Sequence, residues 1–165
     1  MRRGRGITAV EFAVVLLVLS VLLAGLAWAL GYMQEQTEKT MVRYAVMALE
    51  SGLKLEAASR MARGRGADIA KLAGEDPFQW VEPKPQGWRG KWQEPAAGRT
   101  AEPGWYWDGQ RREAVYVLAR SDRFRPGPSG KAEIRYRIEA GAGGPGDLRA
   151  ALRPVEAYEW FSGRQ

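Results

Sequence analysis

Between Ile7 and Gly31 the chain reads ITAVEFAVVLLVLSVLLAGLAWALG, and Glu11 is the one ionisable side chain in that stretch. A run of about 20 apolar residues, rising ~1.5 Å each as a helix, crosses a hydrocarbon core of roughly 30 Å. The segment is therefore long enough to span a bilayer. Ahead of it, residues 1–6 carry Arg2, Arg3 and Arg5 and no acid. Basic residues beside a first span stay on the cytoplasmic side. The predicted topology is a single pass with the N-terminus inside and everything after Tyr32 outside.

A basic start and an apolar centre also describe a secretory signal, and Ala27-Trp28-Ala29 offers a small-x-small cleavage site. The apolar run is longer than the 7–15 residues usual for such signals, and Glu11 interrupts its start. A plain membrane anchor accounts for length and orientation but leaves the carboxylate unexplained. Placing an ionisable group near the membrane costs a few kcal/mol, and such groups normally have a partner or a task.

The string Arg5-Gly6-Ile7-Thr8-Ala9-Val10-Glu11-Phe12 resembles the class III signal of type IV pilins and pseudopilins. The resemblance implies cleavage after Gly6 by a prepilin peptidase, N-methylation of the new N-terminal Ile7, and retention of the apolar helix as anchor and assembly element. It also implies that Glu11 neutralises an α-amine, its own or a neighbouring subunit's, during assembly. The spacing suits that role. Positions four apart share one face of a helix, and either charge alone would be costly to bury among apolar helices. The string Ala9-Val10-Glu11-Phe12-Ala13 is also similar to pilin-like proteins of tight-adherence pili. Three short segments, Leu72 to Trp80, Pro103 to Asp108 and Val115 to Leu118, resemble accessory components of the mannose-sensitive haemagglutinin pilus system.

Past the apolar run, residues 32–62 contain no proline. Met41, Ala45, Ala48, Leu49, Leu53, Leu55 and Met61 fall at roughly helical spacing, with Glu38, Arg43, Glu50, Lys54 and Arg60 between them. The pattern predicts that the helix continues, amphipathic, with Gly52 as its weak point. Arg63-Gly64-Arg65-Gly66 then supplies a glycine stop and C-terminal positive charge. Residues 63–103, rich in Pro, Gly and Trp, read as a connector loop with a short helix from Asp68 to Ala73. Phe78, Trp80, Trp88 and Trp92 would pin it down.

Residues 104–165 read as an antiparallel sheet. Gly104 to Gly109 and Glu113 to Leu118 flank a hairpin turn over 108–112, with Gly109 as the residue suited to positive φ. Ala132, Ile134, Tyr136 and Ile138 alternate with Glu133, Arg135, Arg137 and Glu139. This period of two predicts one buried and one wet face. A glycine-rich turn over 141–146, a strand around 148–152 and an edge segment over 155–161 complete the expected head. The fold class is α+β, a long transmembrane and amphipathic helix packed on a small antiparallel sheet in the manner of type IV pilins.

The chain has no Cys and no His among its 165 residues. This excludes disulfides, thiolate nucleophiles, Cys- or His-ligated metal centres and any His-based triad. Asp68, Glu75 and Asp76 lack calcium-loop spacing, and no metal or cofactor is expected. Trp105, Trp107, Arg111 and Arg112 are candidate contacts for DNA or a glycan, because aromatic faces stack on bases and sugars while arginines hold phosphates. The bland alternative makes the tryptophans core residues beside a solvated basic loop. Removing the three leader arginines would take the formal charge from +6 to +3, too little to argue nucleic-acid binding by itself. The sequence thus points to a non-enzymatic, minor pilin-like subunit of a type IV pilus. Expected partners are the membrane, prepilin peptidase, other pilin or pseudopilin subunits and an inner-membrane assembly platform. The expected place is the bacterial inner membrane with a periplasmic head, and then a filament. A type II secretion pseudopilin, a tight-adherence pilin-like protein and a tethered DNA- or glycan-binding tip module remain the alternatives.

Overall fold

The computed structural model describes residues 9–96, 99–144 and 147–160, with backbone alone for 141–144 and 147–149. The predicted processing residues Gly6 and Ile7 and the leader arginines Arg2, Arg3 and Arg5 lie outside the described residues. The architecture is α+β, as the sequence predicts. One helix, α1 (Ala9–Ala62), is followed by a small, mostly antiparallel sheet. The chain divides into two units, Met1–Thr37 and Glu38–Gln165.

In the first unit the apolar side chains point outward all round the helix. Val10, Leu17, Leu22 and Trp28 are each more than 60% exposed. A helix apolar on every side needs lipid or protein around it. Its one described hydroxyl between residues 9 and 31, Ser20, donates back to the Leu16 carbonyl at 2.7 Å. That hydroxyl is therefore satisfied within the helix rather than left facing the apolar surroundings. Trp28 and Tyr32 stack with ring centroids 6.2 Å apart. They sit where interfacial aromatics flank a span.

The second unit is built on the rest of α1. Its buried stripe is Glu38, Val42, Ala45, Leu49, Leu53 and Ala57, spaced by three and four as a packed helix face requires. Met41, Ala48, Leu55 and Met61, assigned to the inner face from sequence, are exposed. Val42 and Ala57 take their place, because small and β-branched residues let the sheet approach closely. Gly52 is no weak point. A methyl group there would lie 2.8 Å from the Trp80 carbonyl oxygen and 3.0 Å from a Val81 methyl. The helix ends as predicted at its glycines. Gly64 has φ +71°, Gly64 N–H donates to the Met61 carbonyl and Arg65 N–H to the Arg60 carbonyl, closing the last turn.

The stretch 63–103 is more ordered than a connector loop. It holds 3-10 helices over Gly66–Gly74 and Pro77–Trp80 and a strand, β1 (Trp88–Lys91). The remaining strands are β2 (Gly104–Asp108), β3 (Glu113–Val117), β4 (Phe124–Arg125), β5 (Glu133–Gly144), β6 (Asp147–Pro154) and β7 (Glu159–Trp160). The main sheet has the order β1-β2-β3-β5-β6, antiparallel except for the β1–β2 pair, and β4 pairs with β7. β1 was illegible because a four-residue parallel strand, WRGK, carries no alternation of its own. It exists because Trp105 N–H donates to the Gly87 carbonyl and Trp92 N–H to the Trp107 carbonyl.

The inner face of the sheet (Trp105, Trp107, Ala114, Tyr116, Ile134, Tyr136, Ile138, Leu152) meets the helix stripe together with Ile69, Leu72 and Phe78. The outer face is wet as predicted at Arg137 and Glu139, which are exposed, but covered nearer its centre. Val115 is fully buried and Glu113, Asp108 and the Arg135 side chain are 3%, 6% and 11% exposed. Trp92 covers this face and converts its charges into an internal network.

Candidate functional site

The predicted assembly charge, Glu11, lies in the first described turn of α1 and is exposed. A carboxylate in a first turn also has the favourable sign for the helix dipole.

The four candidate ligand residues do not form one surface. Trp105 is 1% exposed. Its ring is enclosed by Phe78, Tyr116 and Tyr136 at centroid distances of 5.9, 4.9 and 6.0 Å. Trp107 is also buried. Neither offers a face on which a base or sugar stacks, so both are core residues and the stacking expectation is corrected. Arg111 and Arg112 stay exposed at the β2–β3 turn. That turn is not built as predicted. The Asp108 carboxylate accepts from the N–H groups of Gln110 and Arg111 at 3.1 and 3.0 Å. The positive φ belongs to Arg112 (+57°), not to Gly109. The Arg112 guanidinium lies over Gly74, beside the C-terminal end of the first 3-10 helix. Arg120 is fixed elsewhere, against Glu38. The basic stretch 111–125 is thus split between two places along α1.

Two charge constellations were missed from sequence. The first is the outer-face network. Arg135 contacts Glu133 at 2.8 Å, Asp108 at 3.1 Å and Glu113 at 3.2 Å, while Arg137 reaches the other Glu113 oxygen at 2.6 Å. Arg135 lies 5.3 Å from the Trp92 ring centroid, within cation–π range, and Trp92 meets Tyr106 edge-on. Burial opposes ionisation of Asp108. The Arg111 N–H, the Arg135 guanidinium and the Gln110 N–H outweigh it and hold the carboxyl below its ordinary range. Burial likewise opposes charge on Arg135, and Glu133, Asp108 and Glu113 more than restore it. A carboxylate held ionised against a permanent cation keeps a fold together and is a poor proton donor. Cross-strand register carried the signal, since Asp108 pairs with Glu113 and Glu113 with Arg137, but register is set only when the strands meet.

The second constellation is centred on Glu38. Its carboxylate accepts from Tyr116 Oη at 2.9 Å, Ala119 N–H at 2.6 Å and Arg120 N–H at 3.2 Å. Burial, together with this carboxylate, pushes the Tyr116 phenol well above its ordinary value. The neighbouring Lys39 donates to the Trp160 carbonyl at 2.6 Å. Glu38 stands at an inward helical position, where a lone charge would be unfavourable, and β3 with the loop after it supplies donors.

A groove of about 580 Å³ runs between the 92–103 segment and the chain at the end of β3 and the start of β5, lined by Trp92, Pro95, Thr100, Leu118 and Lys131 among others. Glu94 and Lys131 pair across it at 3.3 Å. Among the described residues no group of three or more His, Cys, Asp or Glu is placed to hold a metal ion. Asp108, Glu113 and Glu133 converge on a guanidinium instead. Compared with known proteins, the chain matches no family model, no curated protein and no solved structure.

Proposed function

We propose that this chain is a structural, non-enzymatic subunit of a type IV pilus, held in the inner membrane by α1 until it is taken into the filament. The observation that carries the reading is one helix that is apolar on every side from Ala9 to Leu30, has Glu11 in its first turn, and then becomes the spine of a small sheet domain. The first half supplies an anchor that passes from lipid to protein surroundings at little cost, since both are apolar. The second half supplies a rigid head.

A further feature supports assembly. Tyr44, Ala48, Ser51 and Leu55, at i, i+4, i+7 and i+11, are all exposed and uncharged on the side of α1 away from its core stripe. Tyr44 and Leu55 are 68% and 73% exposed. An exposed apolar stripe on a domain that already has a core marks a contact surface.

Mass spectrometry of the protein from a host with prepilin peptidase tests the reading. N-methylated Ile7 is the expected N-terminus; Met1 would make the chain a plain anchored protein, and Leu30 a secreted one. Glu11→Gln should insert into the membrane as the parent does and enter filaments at a small fraction of the parental level. Equal incorporation would remove the charge-pairing role.

A further inference from the structure

Methionine commonly fills irregular gaps in protein cores. Here the four described methionines, Met33, Met41, Met47 and Met61, are exposed at 66%, 43%, 52% and 46%, and all lie on α1. The core of the head is built from Val, Ala, Leu, Ile, Phe, Trp and Tyr, with no methionine among its described members. Packing of that core therefore does not account for them. The chain also has no cysteine, so no thiol competes with these thioethers for an oxidant.

Two of the four flank the exposed stripe of the head, and both lie within the second unit. Met41 and Met47 are three residues before and after Tyr44. At about 100° per residue this sets them about 60° to either side of it. Ala48, Ser51 and Leu55 continue the line of Tyr44 and are exposed. The charged residues nearest to that line round the helix, Arg43 and Lys54, stand about 80–100° from Tyr44. An uncharged face therefore carries an exposed thioether on each side. Met61 stands about 100° from Tyr44 by the same geometry, outside the face.

We propose that Met41 and Met47 are oxidant-sensitive modification sites, and that their conversion to methionine sulfoxide closes the Tyr44–Leu55 face to the neighbouring subunit. A peroxide supplies the oxygen atom. Its O–O bond breaks, an S–O bond forms at each Sδ, and water leaves from hydrogen peroxide or an alcohol from an organic one. A dithiol reductant reverses the step, returning the thioether with a disulfide and water as products. The modification turns an apolar side chain into a strongly polar one. Covering its oxygen in an apolar contact without a donor is unfavourable, whereas the head itself is undisturbed because neither methionine belongs to its core. The inference rests on the proposed role of this stripe in assembly and adds its regulation: oxidant holds the unassembled subunit back.

The test treats cells that assemble the full-length chain with hydrogen peroxide before filaments form. Peptide mass spectrometry of the membrane pool then reads sulfoxide at each methionine, and the sheared fraction reads incorporation. Oxidation at Met41 and Met47 should lower incorporation of the parent about tenfold, as two unpartnered polar groups in an apolar contact would. Met41→Leu with Met47→Leu, which keeps the apolar volume but takes up no oxygen, should incorporate normally in the same treated cells. Met33→Leu with Met61→Leu should lose incorporation as the parent does. Met41→Gln with Met47→Gln should incorporate poorly without any peroxide. The urea midpoint of the detergent-solubilised chain should be the same before and after oxidation; a fall would make the two methionines part of the folded core and overturn the proposal. Equal losses in the parent and the Met41→Leu, Met47→Leu variant would place the peroxide effect elsewhere and overturn it too, as would full incorporation of the glutamine variant. Absence of the untreated parent from the sheared filaments would overturn the filament-subunit reading and the switch together.

Discussion

Asp108 shows what a single carboxylate does in this head. It closes the β2–β3 turn by accepting from Gln110 and Arg111 and at the same time pairs with Arg135 across the sheet. Arg135 in turn satisfies Glu113 and Glu133. Since the folded state holds the Asp108 pKa down, its contribution to stability is complete above the unfolded value of about 3.9 and disappears as pH falls through the lower folded value. The urea midpoint of the detergent-solubilised chain should therefore hold steady down to about pH 5 and then fall. Asp108→Asn should be about 2–4 kcal/mol less stable at neutral pH, because it leaves Arg135 partly uncompensated, and should lose less on further acidification. A parallel acid limb in parent and variant would show that Asp108 carries no ionisation-linked stability. None of this could be read from the DG turn signal, which correctly located the hairpin but named Gly109 as its special residue. Arg112 takes the left-handed conformation instead.

The helix α1 carries two patterns at once, and the sequence alone does not separate them. Its inward stripe is Val42, Ala45, Leu49, Leu53 and Ala57, while Met41, Tyr44, Met47 and Leu55 are equally apolar and remain outside. Periodicity locates a helix well but cannot choose between two apolar faces, because the choice depends on which one the sheet covers. Gly52 makes the point in reverse. By propensity it is a defect costing about 1 kcal/mol relative to alanine. In the folded head it admits the Pro77–Trp80 turn to within contact of the helix. Gly52→Ala should therefore destabilise the head by about 1–3 kcal/mol, as overpacking does, despite its better helix propensity. Urea unfolding followed by tryptophan fluorescence would measure it, and a gain in stability would mean that Trp80 and Val81 retreat freely.

On the scale of the whole molecule, the described helix of the first unit is apolar on every side from Ala9 to Leu30, and the second unit is a head with its own core and an extra exposed stripe. Leu55→Asp should leave the head's urea midpoint within about 0.5 kcal/mol of the parent, since it alters only a surface position. It should nevertheless cut filament incorporation several-fold, measured by the sheared filament fraction against the membrane pool. An unchanged fraction would detach the Tyr44–Leu55 stripe from assembly. Chain composition and order determined the fold class, the apolar span, the stop at Gly64 and the β2–β3 hairpin, because each depends on neighbours a few residues apart; the turn expected over 141–146 is shorter, since β5 stays paired with β6 through Gly144. The tertiary structure alone decided that Trp105 and Trp107 are core, that Trp92 roofs a charged sheet face, and that Glu38 clamps the Arg120 loop. Those outcomes join residues as much as 82 positions apart, from Glu38 to Arg120, and no local pattern records which distant donor a buried carboxylate will meet.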